Sequence, residues 1–433
     1  MSVAANSAAA QAPRPGQDPL DVAFAAMMVR PGDPDRAIAY ARIAAERRQP
    51  RAAIAALERA LRANPGRDDL RLEIASLYLA AGAPAAAAIY AREALASPDI
   101  PAEVTPRARE LLAQAEAGAS RSRFEVTLLA GARYDTNANE ATSLGSVPIF
   151  VPAFGTAVDV NTPVRGQASW SSVLGARVYH RYDLDLQREG AWETTASAYD
   201  QRFASIPRDY DLSILSIDSG PRIGVAEFGE DGPTLALRPF VSATWIGYAG
   251  QTYAWFYGGG LTAELRLSPS WSVEVTWLGR QGDYEGSSFR PTAALYTGFE
   301  WNAAASLTWT PGASTRVSAS MLYYDAAARA GNLSRSALGA FLTANTDVAV
   351  AGATLGVSAR VGVRRVSYDS ADSFLDPGRA RRDTRWEGGI SVLLPVAPAV
   401  AVALEYDWYS QDSNQRIYRY DNNAVTLGLR VRI

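Results

Sequence analysis

Residues 261–277 read Leu261-Thr262-Ala263-Glu264-Leu265-Arg266-Leu267-Ser268-Pro269-Ser270-Trp271-Ser272-Val273-Glu274-Val275-Thr276-Trp277, and the period of this stretch decides the fold. Apolar and polar residues alternate on both sides of Ser268-Pro269-Ser270. Each arm is therefore a two-faced strand, and the tripeptide between them is a tight turn. The same period recurs in Phe124–Asp135, where Glu125, Thr127, Arg133 and Asp135 oppose Phe124, Val126, Leu128, Ala130 and Tyr134. It returns in Leu355–Val363 against Ser358, Arg360 and Arg364, and in Val400–Trp408 against Glu405 and Asp407. Finally, Val425, Leu427, Leu429, Val431 and Ile433 oppose Thr426, Gly428, Arg430 and Arg432.

Alternation alone suits a half-buried soluble sheet. Strand length argues for a membrane instead, because these segments run about 10–16 residues. Soluble strands average about 5–6, and a tilted membrane strand needs about 9–11. Aromatic residues gather near strand ends: Tyr253, Trp255 and Tyr257; Trp301 and Trp309; Tyr323 and Tyr324; Trp408 and Tyr409; Tyr418 and Tyr420. Such bands mark the two headgroup levels of a membrane barrel.

Strands are predicted near 124–137, 167–182, 190–203, 209–222, 234–248, 251–267, 271–284, 293–310, 315–325, 337–348, 354–368, 384–394, 400–410 and 418–433. Their connections alternate in character. Ser268-Pro269-Ser270, Pro311-Gly312 and Pro395–Pro398 are tight, whereas Ala138–Gly166, Gly282–Thr292, Ala326–Ser336 and Tyr368–Asp383 are long. Short turns facing the periplasm and long loops facing outward are the expected asymmetry. The prediction for 121–433 is a transmembrane antiparallel β-barrel of about 14 strands.

Upstream, the composition changes. The first third is rich in Ala, Leu and Arg, and nearly all Trp and Tyr lie beyond Phe124. A shift this sharp marks a helical domain joined to a β domain, an α+β multidomain chain. Net charge is −3 and no dense basic stretch occurs, so nucleic acid is not an expected partner. There is no cysteine, which removes disulfides, thiolate metal sites and cysteine nucleophiles. Ser7-Ala8-Ala9-Ala10-Gln11-Ala12 before Pro13 reads as the tail of a secretory signal, and 1–30 as a signal remnant or disordered leader.

Residues 31–120 carry a repeat of 34 residues. Pro31-Gly32 recurs as Pro65-Gly66, Ala56–Leu61 as Tyr90–Leu95, and Ile38, Ala41 and Ile43 as Leu72, Ala75 and Leu77. Small residues (Ala41, Ala53, Ala60; then Ala75, Ala87, Ala94) fall where paired helices approach closely. The pattern resembles the tetratricopeptide repeat, with about two repeats and a capping helix over Pro106–Ala117. Stacked helix pairs curve and present a concave face, which suits a periplasmic partner or client; a rigid spacer is the plainer reading.

Two further stretches carry a family likeness. Gly131-Ala132-Arg133-Tyr134-Asp135-Thr136-Asn137-Ala138-Asn139 resembles the opening element, and Ser413-Asn414, Tyr418, Tyr420 and the final strand resemble the closing segment, of the surface lipoprotein assembly modulator family. The resemblance implies a 14-stranded outer-membrane translocon whose periplasmic repeats engage substrate. It transfers no residue-level site. The reading it supports is a factor that moves a periplasmic client, a surface lipoprotein or secreted protein, to the cell surface. The alternative is an exopolysaccharide export porin whose repeats recruit polysaccharide export machinery.

Enzymatic chemistry has little to work with, so a non-enzyme without cofactor or metal is expected. The single histidine, His180, reads as a girdle or loop residue rather than a catalytic base. Asp369, Asp372 and Asp376 share a loop and read as solvated rather than calcium-binding. Gly258-Gly259-Gly260 lies inside a strand, where glycine relieves crowding. The candidate lumen lining is Arg133, Asp135, Arg238, Glu264, Arg266, Arg360, Arg364, Glu405 and Arg430, read either as an internal ion-pair network or as a polar lining for a passenger. Val425, Leu427, Leu429, Val431 and Ile433 form the candidate β-signal strand for the barrel assembly machinery. Ala138–Gly166, apolar around Val147–Phe154, reads either as an inward plug or as a lipid- or partner-facing loop.

Overall fold

A computed structural model describes residues 18–47, 49–98, 100–151, 155–162, 164–186, 190–229, 232–350 and 352–433. The chain divides into two compact units, with the boundary between Arg121 and Ser122.

The first unit contains α1 (Pro19–Val29), α2 (Pro34–Glu46), α3 (Pro50–Ala63), α4 (Asp68–Ala80), α5 (Pro84–Ala96) and α6 (Thr105–Ala119). Proline opens α1, α2, α3 and α5 at a position where its missing N–H costs nothing. The 34-residue period is visible in the elements themselves, since α2 and α4 begin at 34 and 68, and α3 and α5 at 50 and 84. Ala41, Ala44, Ala53 and Ala60 are buried between the helices, where larger side chains would hold the backbones apart. Leu57, Leu70 and Ile74 fill the remaining space. Asn64 Nδ2 donates to the carbonyls of Ala60 (2.9 Å) and Gly32 (2.7 Å), tying the end of one repeat to the loop before it.

Residues 19–29, expected in the leader, are helix. Asp18 accepts from Leu20 N at 3.0 Å as an N-cap, and Pro19 opens the first turn. Leu20, Ala23 and Met27 recur at helical spacing and pack against α2, with Phe24 and Tyr40 rings 5.6 Å apart. The signal-like residues 7–12 lie outside the described residues. Among those described, no helix is long and apolar enough to cross a membrane.

The second unit is built from β1 (Ser122–Asp135), β2 (Ser146–Val151), β3 (Thr156–Asn161), β4 (Ser169–Asp183), β5 (Ala191–Phe203), β6 (Leu212–Glu227), β7 (Thr234–Tyr248) and β8 (Gln251–Ser268). These are followed by β9 (Trp271–Tyr284), β10 (Gly298–Trp309), β11 (Arg316–Ala326), β12 (Arg335–Val350), β13 (Ala353–Ala371), β14 (Ala380–Ala397), β15 (Val400–Ser413) and β16 (Tyr420–Arg432). All but β2 and β3 form one closed barrel of 14 strands, each paired with its sequence neighbours, with β1 meeting β16. Every barrel pairing is antiparallel. Closure leaves no edge strand in the wall, the condition for a sheet to sit in lipid.

Strands continue into the expected long loop at 368–383: β13 runs on to Ala371 and β14 begins at Ala380, which shortens the connection between them. Residues 293–296, expected to be strand, form a short 3-10 turn ahead of β10. The connection over 138–166 carries the hairpin β2–β3, paired from Ser146↔Asn161 to Val151↔Thr156. Phe150 N donates to Phe374 O at 2.9 Å, which ties this hairpin to the β13–β14 connection. Residues 152–154 of the expected plug lie outside the described residues.

Candidate functional site

The two-residue period divides every barrel strand between an outer and an inner face. Large apolar side chains stand exposed on one face: Phe124, Leu128, Leu174, Val275, Leu307, Met321, Leu342, Ile390, Leu404 and Leu427. In water such a surface would aggregate; in lipid it is the favourable one. On β10 the outer row runs Trp301, Ala303, Ala305, Leu307, Trp309. Trp301 stacks on Trp277 at 4.6 Å and Trp309 on Trp271 at 6.0 Å, so aromatic pairs bracket the apolar stretch. Eight residues of strand span roughly 27 Å. A tilt of about 40° leaves a height of about 20 Å, comparable with the apolar band of an outer-membrane barrel.

Not all the aromatics counted as girdle stand on that face. Neighbours in sequence must point oppositely along a strand, and Tyr323 is outside while Tyr324 is inside, donating to Glu300 Oε2 at 2.9 Å. Tyr409 likewise points inward beneath the Arg385 guanidinium, 3.7 Å from its ring centre. Tyr253 meets Tyr248 and Tyr284 edge-on, and Tyr418 lies 3.2 Å under Arg381. Arg290 covers Tyr248 at 3.7 Å, and Arg335 lies over both Tyr296 and Tyr324. The loop end of the barrel thus carries an internal collar of arginine–tyrosine stacks, each contributing about 0.5–2 kcal/mol. The adjacent pairs Tyr323-Tyr324 and Trp408-Tyr409 were the available signal, since the period allows only one of each pair to face lipid.

Below and beside the collar, the nine lumen candidates all share the inner face by register, and ion pairs join most of them. Arg133 Nε lies 3.0 Å from Asp135 Oδ2, and its Nη1 reaches Asp407 Oδ2 at 3.1 Å. Arg360 Nη2 takes the other Asp407 oxygen at 3.0 Å. Arg364 meets Glu387 at 3.4 Å, where Arg385 arrives at the same distance. Glu405 accepts from Arg430 at 2.8 Å. Arg238 pairs with Asp218 and lies 3.5 Å from Glu193, which also holds Arg181 at 3.2 Å. Glu264 accepts from Arg222 at 2.8 Å, while Arg266 lines a cavity of about 250 Å³ with Glu264 and Glu274. Asp407, Glu387, Glu193, Arg222 and Asp218 complete pairs that one strand's alternation does not reveal. A polar cavity of about 500 Å³ lies at the loop end, bordered by Arg133, Asp135, Glu140, Arg385 and Asp407.

The element at 134–139 sits where the barrel closes. Asp135 is buried and accepts from Asn422 Nδ2 at 2.8 Å. Asn422 Oδ1 in turn accepts from the backbone of Asn137 (2.9 Å) and the hydroxyl of Thr136 (3.2 Å). Asn137 Nδ2 donates to Asp421 O at 3.1 Å, and Asn423 N donates to Thr136 Oγ1 at 2.9 Å. Beyond them Glu140, held at a positive φ of 49°, accepts from Tyr409 OH at 2.7 Å. Of the proposed β-signal residues, Val425, Leu427 and Leu429 are exposed on the outer face, and Ile433 exchanges both backbone hydrogen bonds with Val126 at 2.9 Å.

The remaining candidates have structural partners. His180 stacks on Phe124 at 4.3 Å and its Nε2 lies 2.8 Å from Ser122 Oγ. Asp372 accepts from Phe374 N (2.8 Å), Leu375 N (3.2 Å) and Asn332 Nδ2 (3.1 Å), so its charge organises a turn. No cluster of His, Cys, Asp and Glu able to hold a metal occurs among the described residues. A side chain at Gly258 would meet Gly279 O at 2.1 Å, so the strands there require a residue without Cβ.

A closed 14-strand barrel with a lipid-compatible exterior, preceded by paired-helix repeats, defines the class: an outer-membrane β-barrel protein with a tetratricopeptide-like N-terminal unit. Residues 223–431, most of that barrel, match the family described as surface lipoprotein assembly modifier, and the resemblance read from the sequence holds. The closing segment falls within the match; the opening element at 131–139 precedes it. Curated protein sequences contain no match. The helical part is similar to the Yersinia enterocolitica type III secretion chaperone SycD in complex with a peptide of the translocator YopD, at 15% identity over 23% of this chain and 76% of that one, TM-score 0.21. The barrel is similar to OmpTΔL8 of Vibrio cholerae (10% identity, 72% and 100% covered, TM-score 0.35) and to Pseudomonas aeruginosa OpdL (12%, 72% and 98%, TM-score 0.33).

Proposed function

We propose that this protein moves a periplasmic client, a surface lipoprotein or secreted protein, through the outer membrane to the cell surface, with the helical repeats recognising the client. The observation that carries the reading is the surface lipoprotein assembly family match on a barrel that has a repeat unit ahead of it. Both barrel ends of the chain, the start of β1 and the end of β16, lie at the end of the short turns, the periplasmic end in bacterial barrels. The barrel itself reaches the membrane through the barrel assembly machinery, with Val425, Leu427, Leu429, Val431 and Ile433 as the strand it reads.

The inner-face residues Arg133, Asp135, Arg238, Glu264, Arg266, Arg360, Arg364, Glu405 and Arg430 act as a rigidifying network rather than a conduit. Most of their charges are met by ion-pair partners on the same or nearby strands, which favours protein translocation over polysaccharide export, since a polymer conduit needs a standing open lumen. Deleting residues 1–120 tests the reading. Client display on the surface falls to background while the barrel remains inserted and heat-modifiable; unchanged display refutes it. Planar-bilayer recordings of the full chain show little steady conductance, and a large open pore would instead favour polysaccharide export.

A further inference from the structure

Resting on that reading, we infer that the β1–β16 seam is the exit gate. The polar clasp at 135–140 is its latch, and an extended, two-faced strand of the client is the partner that opens it. The seam combines a short ladder, a facing glycine pair and a side-chain clasp at its loop end. The β1–β16 ladder, from the Val126–Ile433 exchange to Asp135↔Ala424, is one of the shortest in the barrel among the described residues. At its centre Gly131 faces Gly428, so the pair supplies no cross-strand side-chain packing. A Cβ on Gly131 would meet Leu427 O at 2.7 Å, and one on Gly428 would meet Ala130 O at 2.8 Å.

Closure at the loop end is held by side chains as well as by the ladder. Asn137 and Asn422 each bond across the seam, and Thr136 both donates to Asn422 and accepts from Asn423. These groups lie at the water-facing end, where solvent can replace each bond at modest net cost. The ladder below differs. Its N–H and C=O groups sit at lipid depth, where separation without replacement is prohibitive. Unlatching therefore leads to opening only when another strand supplies the lost bonds. A client segment alternating apolar and polar residues does so, and it keeps its apolar face to the lipid.

The chain has no cysteine, so engineered pairs report the seam cleanly. The probe is a synthetic ten-residue peptide of alternating valine and threonine carrying a photo-crosslinker, added to the full-length protein in phospholipid vesicles. The double variant Asn137→Ala/Asn422→Ala removes four bonds across the seam, and since one net hydrogen bond is already worth up to about tenfold, crosslinking to β1 and β16 is expected to rise by roughly tenfold or more. Thr136→Val serves as the milder variant, and heat-modifiable gel mobility verifies the fold of each. A disulfide in Ala132→Cys/Leu427→Cys, across the seam, abolishes the crosslink until reductant is added. The same bond in Val275→Cys/Ala305→Cys, across β9 and β10, leaves it intact. Equal crosslinking in seam-locked and unlocked protein overturns the gate. Failure of the 1–120 deletion to affect display refutes the transport reading and leaves the peptide result to judge the seam by itself.

Discussion

Replacing Asp407 by alanine removes the acceptor shared by Arg133 and Arg360. The side chains of Arg133 and Asp407 are 19% and 24% exposed, whereas Arg360 is 53% exposed. Removing one partner of a buried pair costs about 3–5 kcal/mol, because the other charge is stranded; an exposed pair is worth about 0–1 kcal/mol. Arg133 keeps Asp135 at 3.0 Å, so its charge is not left alone. The loss therefore falls between these limits, about 2 kcal/mol, and comes almost entirely through Arg133. Arg360→Gln should cost less than about 1 kcal/mol. With a urea slope of about 2 kcal/mol per molar, Asp407→Ala lowers the unfolding midpoint by about 1 M and Arg360→Gln by less than about 0.5 M. Reversible folding into phospholipid vesicles, followed by tryptophan fluorescence, measures both. An Asp407→Ala midpoint within about 0.3 M of the parent would refute the claim that this network stabilises the wall, and so would a larger effect from Arg360→Gln.

Three other outcomes are expected. Leu57→Ala, at a fully buried position among alanines that cannot close the gap, costs about 3 kcal/mol and lowers the thermal midpoint of the helical signal in circular dichroism, leaving the barrel transition in place. Met321→Arg, opposite Ala305 midway between Trp301 and Trp309, costs about 2–4 kcal/mol in vesicles, while Ser320→Arg on the inner face costs far less; equal costs would contradict the face assignment. Tyr78 and Tyr90 both donate to Glu58 Oε1, at 2.8 and 2.9 Å. The Glu58 hydrogen bond raises the Tyr78 hydroxyl above its ordinary value near 10; burial, then the same bond, raises Tyr90. A raised value means the contribution is whole below pH 10 and is lost as pH climbs through the folded value. Tyrosinate absorbance should therefore lag in the parent and advance in Glu58→Gln; identical titrations would refute the coupling.

Much of this architecture is legible in the sequence. The strands over 234–248 and 271–284 coincide with those expected, because a long two-faced segment bounded by turn residues has one stable use in lipid. The 34-residue repeat was readable for the complementary reason, that close helix contacts demand small residues at fixed intervals. The α1 helix was missed although Asp18-Pro19 and the spacing of Leu20, Ala23 and Met27 announce it, because an alanine-rich start also fits a leader. The β2–β3 hairpin was missed because a short hairpin inside a long loop has little pattern to distinguish it from irregular chain.

By itself the sequence determined the period along each strand, and with it which side chains share a face, where aromatics bracket the apolar stretch, and that the wall holds an even number of strands. It could not say which inner-face charges meet. Asp407 reaches Arg133 only because β15, β16 and β1 are neighbours, and β1 and β16 lie at opposite ends of the barrel's sequence. The clasp on Asn422 is the same kind of fact. Alternation is a property of one strand and survives in isolation; pairing across the closure exists only once the sheet has curled round to meet itself.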